Sequence, residues 1–338
     1  MDIIQNAKRV VLDFYEDLGA RSYNGIGQAL ARHVVPDYRW RGVHPFGENL
    51  DARRVQLEVY EPLRRAFGQR QWRRDIFFAG INDASESEEV WVCSMGHLMG
   101  LFDEPWLDIP PTGRIANLRF AEFHQVVGDK IAQTAVHFDI IGLMQQAGYN
   151  PIPESTGIYF AYPGPRTHDG LQTNACEPSE AETTMDLLNR MIADLDALNR
   201  SGEDRCPPEY LARSWHKDMV WYGPAGIGAT MSIPRYQEQH QFPFREGLAD
   251  KIYHGHVARI AEGNYAGFFG WPNLSNRPIG GFLGLPATAN SGDMRVIDIY
   301  RREGEKLAEN WVFIDLPWYL KMLGVDIFER MKALRPCR

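Results

Sequence analysis

Cysteine is scarce in this chain of 338 residues. The four cysteines (Cys93, Cys176, Cys206 and Cys337) are scattered and form no C-x-x-C pair. Disulfide-rich secreted folds and cysteine-based zinc sites depend on closely spaced cysteines. We therefore expect a protein of a reducing compartment, with neither a disulfide framework nor a zinc site.

Positive charge is also scarce, since 36 Lys and Arg stand against 44 Asp and Glu, for a net charge of -8. Proteins that bind nucleic acid use an excess of Lys and Arg to contact the phosphates, so nucleic acid is not expected as a partner. One basic cluster stands apart, and its members are Arg53, Arg54, Arg64, Arg65, Arg70, Arg73 and Arg74. We interpret it as an exposed helix face on which basic and acidic residues mix, ahead of the alternative of an anion site.

Long apolar runs and common catalytic motifs are missing as well. No run approaches the roughly 20 residues that span a bilayer, and the N-terminus lacks the basic-then-apolar order of a signal peptide. A cytoplasmic protein without a membrane partner is the expectation. There is no G-x-S-x-G, H-E-x-x-H or G-x-x-x-x-G-K-[ST] motif. His254 and His256 could begin a metal site, but no third ligand has diagnostic spacing, and we expect neither a metal nor a cofactor.

What the chain does contain is a stretch that occurs twice, at residues 130–148 and 306–324. Each copy is a β-rich run that carries an aspartate, followed by an amphipathic turn that closes on glycine. The spacing from Asp139 to Gly148 equals that from Asp315 to Gly324. Upstream, the pattern D-x-x-W-x-G of residues 37–42 recurs at residues 218–223. The order of helical and β patterns repeats too, which predicts a tandem duplication of one domain of roughly 140 residues.

Each copy has helical periodicity first and β-patterned runs afterwards, which is typical of an α+β fold. We predict a first domain over residues 1–150, a Pro- and Gly-rich ordered connector over residues 151–180, and a second domain over residues 181–338. The two halves are expected to pack as an intrachain pair. Whether that pair assembles further into a homo-oligomer stays open.

Strand geometry makes the two aspartates candidate acid–base groups. Side chains alternate between the faces of a strand, so His137 and Asp139 share one face, and Trp311, Phe313 and Asp315 share the equivalent one. A carboxylate in such apolar surroundings has a raised pKa and can exchange protons near neutral pH. The alternative is that both aspartates only cap the helical turn that follows each of them.

The preceding strand supplies further candidates if the register is right. With an even hairpin loop, tipped by residues 128 and 129, Glu122 and His124 fall on the face of Asp139. Constant spacing places Asp298 and Tyr300 in the same positions of the second copy. A slip of one residue would send these side chains to the opposite face.

Several segments of the sequence resemble those of a known family. The resemblance is carried by Leu307-Ala-Glu-Asn-Trp-Val-Phe-Ile-Asp315 and Gly280-Gly-Phe-Leu-Gly-Leu-Pro-Ala-Thr288 in the second copy, and by Ile109-Pro-Pro-Thr-Gly113 and residues 139–148 in the first. Both copies resemble the SnoaL-like polyketide cyclases of the nuclear transport factor 2-like superfamily. The resemblance implies a cone-shaped α+β domain, in which a strongly curved antiparallel sheet wraps on helices and encloses an apolar pocket. It also implies cofactor-free aldol ring closure, with the aspartate before the final turn as the acid–base group.

Some residues depart from the family pattern. Ala135 stands where the pattern carries Trp, and residues 287–290 read Ala-Thr-Ala-Asn in place of Pro-Thr-Gly. The superfamily also hosts isomerases, dehydratases and non-catalytic binders, so the fold alone does not select a reaction.

The expectation is a cofactor-independent cyclase, isomerase or lyase that acts on a small, partly apolar carbonyl compound. The candidate catalytic residues are Asp139, Asp315, His137, His124 and Glu122. The candidate substrate-binding residues are Asp298, Tyr300, Trp311, Phe313 and His97, the last standing where the family often has a pocket histidine. The alternative function is a non-catalytic small-molecule-binding or scaffold protein with nuclear transport factor 2-like pockets.

Overall fold

The structure, a computed structural model, describes residues 2–20, 25–203 and 205–334. Within these ranges the chain divides into two compact units. Unit 1 comprises residues 2–151, 163–175 and 328–334, and unit 2 comprises residues 152–162 and 176–327. The boundaries expected at residues 150 and 181 stay predictions. No helix in the described ranges is long and apolar enough to cross a membrane.

Unit 1 begins with helices and continues with strands, as the periodicity predicted. Its elements are α1 (Ile3–Ala20), α2 (Ile26–His33), β1 (Val34–Gly42), β2 (Gly47–Leu50), α3 (Ala52–Arg54), α4 (Glu61–Ala66), β3 (Phe67–Ile81), β4 (Val90–Phe102), β5 (Ile115–Val127), β6 (Lys130–Phe138) and α5 (Ile140–Gln146). The strands form one sheet in the order β2-β1-β6-β5-β4-β3. All neighbours are antiparallel except β1 and β6, which run parallel.

Unit 2 repeats this order. Its elements are α6 (Pro178–Ser201), α7 (Pro208–Leu211), β7 (Trp215–Tyr222), β8 (Ala229–Met231), α8 (Ile233–Tyr236), α9 (Phe242–Gly247), β9 (Leu248–Tyr253), β10 (Ala258–Glu262), β11 (Tyr265–Pro278), a 3₁₀ turn (Phe282–Gly284), β12 (Gly292–Glu303), β13 (Lys306–Ile314) and α10 (Leu316–Met322). The last helix, α11 (Ile327–Ala333), belongs to unit 1 from residue 328 onwards. The sheet order is β10-β11-β12-β13-β7-β8, with β9 paired to β11 and a parallel pair again between β13 and β7. The predicted α+β fold class is confirmed, with one parallel pair in each otherwise antiparallel sheet.

Two local features show how closely the units correspond. Between α3 and α4, and again between α8 and α9, the helix passes through a π-helical segment, Val55–Tyr60 in unit 1 and Gln237–Gln241 in unit 2. The repeated D-x-x-W-x-G pattern has a packing reason. A Cβ on Gly42 would lie 2.2 Å from the Trp40 ring, and one on Gly223 would lie 2.0 Å from the Trp221 ring. Only glycine fits beneath these buried indoles, which explains why the pattern occurs in both units.

The Pro- and Gly-rich segment divides between the two units. Residues 152–162 belong to unit 2, where Gly157 N donates to Ile227 O at 2.9 Å. Residues 163–175 belong to unit 1, where Gln172 N donates to Phe77 O at 2.8 Å. The buried Lys8 ammonium of α1 adds bonds to the Gln172 and Asn174 carbonyls, both at 2.8 Å. Backbone pairing of this kind replaces regular secondary structure in the segment.

The hairpin between β5 and β6 decides which side chains share a face. Its two-residue tip at Gly128 and Asp129 is as predicted, with Gly128 in the left-handed region at φ +62°. The register then shifts by one residue, because Gln125 pairs with Gln133 but Val126 pairs with Ile131, which leaves Ala132 as a β-bulge. Unit 2 has the same bulge at Ala308, since Arg301 pairs with Glu309 but Arg302 pairs with Leu307.

Candidate functional site

Unit 1 contains a cavity of about 400 Å³ between α1, the π-helical segment and the sheet. Its lining consists of Tyr15, Leu18, Gly19, Tyr60, Arg64, Gly68, Arg70, Trp72, Arg74, Phe120 and Glu122. Strand alternation explains part of this set, because Arg70, Trp72 and Arg74 are two residues apart on β3 and point to one side. The cavity volume lies in the range of about 300–1,000 Å³ that is usual for small-molecule sites.

Among the described residues of this lining, Glu122 is the one carboxylate, and it is held by two other side chains. It is only 3% exposed. The Tyr15 hydroxyl donates to its Oε2 at 2.6 Å, and His124 Nε2 lies 3.1 Å from the same oxygen. His124 Nε2 is also 2.8 Å from the Tyr15 oxygen, while His124 Nδ1 lies 2.9 Å from Thr134 Oγ1. In the tautomer that carries its proton on Nε2, His124 donates towards the carboxylate and Nδ1 accepts from the Thr134 hydroxyl.

The electrostatics of this cluster follow from burial. Burial, and then the charge of Glu122, raises the pKa of Tyr15 well above its ordinary value. The same two causes raise the pKa of Tyr60. Both phenols therefore stay protonated at neutral pH and can only donate to, or screen, the carboxylate. Glu122, His124 and Tyr15 form a hydrogen-bonded group at the buried end of the cavity.

Unit 2 has a carboxylate at the equivalent place, because Asp298 lies 176 residues beyond Glu122, the offset that also separates the two repeated aspartates. Asn310 Nδ2 donates to Asp298 Oδ1 at 3.1 Å. Burial raises the pKa of Asp298 from 3.8 to about 7, against a smaller lowering by hydrogen bonds from Asn310 and Tyr300. A carboxylic acid with a pKa near 7 is suited to both give and accept a proton at neutral pH.

The surroundings of Asp298 are aromatic. Tyr300 packs against Trp215 and Phe268, with ring centroids 5.9 and 5.8 Å away. His256 stacks on Phe268 at 3.9 Å, and its Nε2 lies 2.7 Å from the Tyr253 hydroxyl. Burial, with a smaller contribution from the charge of Arg259, lowers the pKa of His256 to about 3. The imidazole is therefore neutral at physiological pH.

The two repeated aspartates each cap a helix. Asp139 Oδ1 accepts from Gly142 N at 3.2 Å at the start of α5, and Asp315 Oδ1 accepts from Trp318 N at 3.1 Å at the start of α10. Asp315 is fully buried, and its Oδ2 lies 3.4 Å from Arg295 Nη1. Asp139 is not part of the cavity lining of unit 1. The capping role, which was the alternative to catalysis, is thus present in both copies, and a catalytic role for either aspartate stays a prediction.

The expectation that the candidate side chains of the two hairpin strands lie on one face of the sheet is wrong, because each hairpin contains a β-bulge. After Ala132, Glu122 pairs with Val136 and His124 pairs with Thr134, so both lie on the face opposite His137. In unit 2, Asp298 pairs with Val312, while Trp311 pairs with Ile299 and Phe313 with Ile297. Trp311 and Phe313 therefore lie on the face opposite Asp298 and Tyr300, where Trp311 stacks on Tyr222 at 5.4 Å.

Three other histidines that the sequence singled out, His97, His254 and His256, lie outside the cavity lining of unit 1. His97 pairs with Arg73 across β3 and β4, on the face opposite Arg74, and its Nδ1 lies 3.2 Å from Asp75 Oδ2. His254 and His256 follow β9 rather than forming part of it, and His254 Nε2 lies 2.6 Å from Ser275 Oγ. In the part of the chain that the structure describes, no group of three or more His, Cys, Asp or Glu side chains is placed to hold a metal ion.

Cysteine supplies no candidate group for the site. Cys93, Cys176 and Cys206 form no disulfide, and Cys93 and Cys206 are buried. Burial raises the pKa of the Cys93 thiol well above its ordinary value, so it is not a ready nucleophile. Cys337 lies outside the described residues.

Sequence reasoning missed two residues of these clusters. Tyr15 follows the buried Phe14 on α1, and nothing in the sequence connects it to Glu122, which lies 107 residues later. Asn310 precedes Trp311 on β13, and a polar residue inside an apolar strand was the available signal. The structure also brings three arginines of the basic cluster, Arg64, Arg70 and Arg74, to the cavity. The interpretation of the whole cluster as a helix face is wrong for Arg70, Arg73 and Arg74, which lie on β3.

Comparisons with known proteins concern the fold. No family model matches the sequence, and no curated protein matches it. Among solved structures, TsrD from Streptomyces laurentii matches 41% of this chain and 96% of its own length at 20% identity, with a TM-score of 0.34. A SnoaL-like polyketide cyclase candidate from Jannaschia sp. CCS1 matches 43% and 93% at 16% identity, with a TM-score of 0.32. A nuclear transport factor 2-like protein from Burkholderia xenovorans LB400 matches 42% and 97% at 12% identity, with a TM-score of 0.33. In fold, the chain is similar to SnoaL-like and nuclear transport factor 2-like proteins, each of which corresponds to less than half of its length.

Proposed function

We propose that unit 1 is a cofactor-independent acid–base catalyst that acts on a carbonyl compound, with Glu122 as the group that moves the proton. The observation that supports it is the position of Glu122 in the lining of the cavity, fixed there by Tyr15 and His124. Both hydrogen bonds go to Oε2, and we assign the contact with the substrate to the other oxygen, Oε1. A positioned base of this kind typically contributes a rate factor of about 10²–10⁴.

The chemistry is the removal and return of one proton. Oε1 of Glu122 accepts a proton from the carbon next to the carbonyl, and the electron pair of that C–H bond moves into an enolate. The protonated carboxyl then returns the proton to another carbon, which gives an isomerase. If the enolate carbon instead bonds to a second carbonyl carbon, the carboxyl protonates the resulting alkoxide, which gives an aldol cyclase. Tyr15 and His124 keep the carboxylate in place through both steps.

Trp72, Phe120 and Leu18 supply the apolar wall against which a substrate would lie. Trp72 meets Phe120 edge to face, with centroids 5.0 Å apart. A partly apolar ring compound would gain contact area there and would present its carbonyl to Glu122. Asp298 is the corresponding group of unit 2, and its pKa near 7 makes it a second acid–base candidate.

The test is hydrogen–deuterium exchange at the α-carbon of 2-tetralone in D₂O, followed by proton NMR with the full-length protein. We expect catalysed exchange by the wild type and a loss of about 100-fold in Glu122→Gln, within the usual range for removal of a general base. Asp139→Asn keeps a capping side chain and is expected to retain the exchange.

The variants also separate the competing assignments. Exchange that survives in Glu122→Gln and disappears in Asp139→Asn would overturn the role of Glu122 and restore that of the repeated aspartate. Exchange that disappears only in Asp298→Asn would move the activity to unit 2. Tetralone that binds without any exchange would support the alternative of a binding protein.

A further inference from the structure

The cavity of unit 1 carries an excess of positive charge that acid–base catalysis by itself does not require. In the ranges that the structure describes, its charged lining residues are three arginines, Arg64, Arg70 and Arg74, and Glu122. With Glu122 ionised, the lining has a net charge of +2 in a chain whose net charge is -8. Such a local reversal of sign indicates selection for an anion, because a cationic recess raises the local concentration of negatively charged ligands.

The arginines and the carboxylate lie at different depths. Gly19 and Gly68 are exposed and Arg64, Arg70 and Arg74 are half-buried, whereas Phe120, Glu122 and Tyr60 are buried. The exposed residues mark the open end of the cavity and the buried ones mark its floor. The cationic side chains, which we call the arginine end, therefore lie nearer to solvent than the acid–base group does.

Contacts within unit 1 hold the guanidinium groups of Arg70 and Arg74. Arg70 Nη1 donates to the carbonyl oxygens of Phe67 and Gly68, both at 3.2 Å. The Arg74 guanidinium carbon lies 5.1 Å from the centre of the Tyr15 ring, in a cation–π contact. Opposite these residues on β4 are Gly100 and Gly96, where the β3 backbone approaches so closely that a Cβ would lie 2.6 Å from Gln69 O or 1.9 Å from Arg73 O. Guanidinium groups held in this way can bind a planar carboxylate without first being ordered.

We propose that the arginine end binds an anionic group of the substrate, so that the compound which Glu122 acts on is a carboxylate with a flat apolar body. This inference rests on the proposed function, since it names the substrate class of the same site. The anionic group lies beside Arg70 and Arg74, the body lies on Trp72 and Phe120, and the reacting carbonyl faces Glu122. The negative charge of Glu122 at the floor excludes the reverse orientation, because two carboxylates would then meet in a buried place.

The test compares two probes of almost equal shape, 1-naphthoate and its neutral counterpart 1-naphthamide. Their dissociation constants are measured by isothermal titration calorimetry with the full-length protein at low salt and pH 7.5. We expect the wild type to bind naphthoate more tightly, and the double variant Arg70→Met, Arg74→Met to bind naphthoate about ten-fold more weakly, as is typical for the loss of charge-assisted hydrogen bonds. Binding of naphthamide is expected to change by less than about two-fold, because methionine keeps the apolar part of the arginine side chain.

Arg73→Met is the matched control. Arg73 lies between the other positions on β3 but is exposed on the opposite face, where it donates to Gln71 Oε1. This variant loses one positive charge from the same strand, against two in the double variant, and is expected to keep the preference for naphthoate. An equal or greater effect of Arg73→Met would show that overall charge, not the arginine end, drives binding, and the proposal would be overturned.

Three other results would each overturn the proposal. The first is that naphthamide binds as tightly as naphthoate, and the second is that the preference for naphthoate survives the double substitution. The third is that naphthoate shows no detectable binding. Glu122→Gln separates it from the proposed function, because this variant lacks the base but keeps the arginine end. Loss of the negative charge at the floor is expected to leave naphthoate bound at least as tightly as in the wild type. Tetralone exchange that survives in Glu122→Gln would refute the catalytic role of Glu122 and leave the naphthoate result standing.

Discussion

Asp298 gives the sharpest test of the electrostatics of unit 2. Its pKa is raised from 3.8 to about 7, chiefly by burial. Because the folded protein holds this proton more tightly than the unfolded chain does, the folded state binds more protons between these two pKa values. Stability therefore falls as the pH rises through that window and stays lowered above it. This direction is opposite to that of a carboxylate in a stabilising ion pair.

The magnitude follows from the two pKa values. A shift of this size costs about 1.7 kcal/mol of stability at pH 5 and about 4 kcal/mol at pH 8. Asp298 is only half-buried, and water screens part of the charge, so we take roughly 2 kcal/mol as the change between the two pH values. Asp298→Asn removes the ionisation and keeps an oxygen that can accept from Asn310. The free energy of unfolding of this variant, relative to the wild type, should rise by that amount from pH 5 to pH 8.

The assay is urea denaturation of the full-length protein at both pH values, followed by tryptophan fluorescence. Any constant cost of the amide cancels, because only the difference between the two pH values is used. Asp218→Asn, at an exposed position of β7 in the same sheet, controls for the loss of a surface carboxylate. If the difference in unfolding free energy between Asp298→Asn and the wild type were the same at pH 5 and pH 8, burial would not raise the pKa of Asp298. A carboxyl-carbon NMR titration that places the pKa of Asp298 near 4 would lead to the same conclusion.

Two further predictions concern packing and capping. Gly223→Ala should destabilise unit 2 by about 1–3 kcal/mol in thermal or urea unfolding, because its Cβ would collide with the Trp221 ring. The control is Gly19→Ala, which should not lower stability, because a Cβ there would have no atom within 4 Å and the φ angle is not positive. A Gly223→Ala variant as stable as the wild type would show that the indole can move. Asp139→Ala should cost about 1 kcal/mol through loss of the cap on α5, and Asp139→Asn should cost much less, as measured by the same unfolding assay. Equal losses in the two Asp139 variants would mean that the negative charge, rather than the cap, is what the position requires.

The two units keep the same architecture but differ in the chemistry of the equivalent positions. Glu122 and His124 in unit 1 correspond to Asp298 and Tyr300 in unit 2. Glu122 is bonded by a tyrosine from α1 and by a histidine, whereas Asp298 is bonded by an asparagine from the neighbouring strand. Duplication of the fold has therefore left two carboxylates in like places with unlike partners, and the two sites can be tested separately.

The sequence by itself determined the features that depend on short-range pattern. Helical periodicity predicted α1, and the β-rich runs predicted the strands of each sheet. The equal spacing from Asp139 and Asp315 to their glycines predicted the duplication. The two-residue turn at Gly128 and the capping role of both aspartates also follow from local chemistry, since they involve residues at most a few positions apart.

Tertiary structure alone decided which side chains meet. The bulges at Ala132 and Ala308 shift the register by one residue, and alanine in a strand gives no local sign of a bulge. That shift moves Glu122 away from the face of His137 and into the cavity with Tyr15, a residue from a distant helix. Register and helix docking are set by long-range packing, and because side chains alternate with a period of two, a displacement of one residue exchanges the two faces.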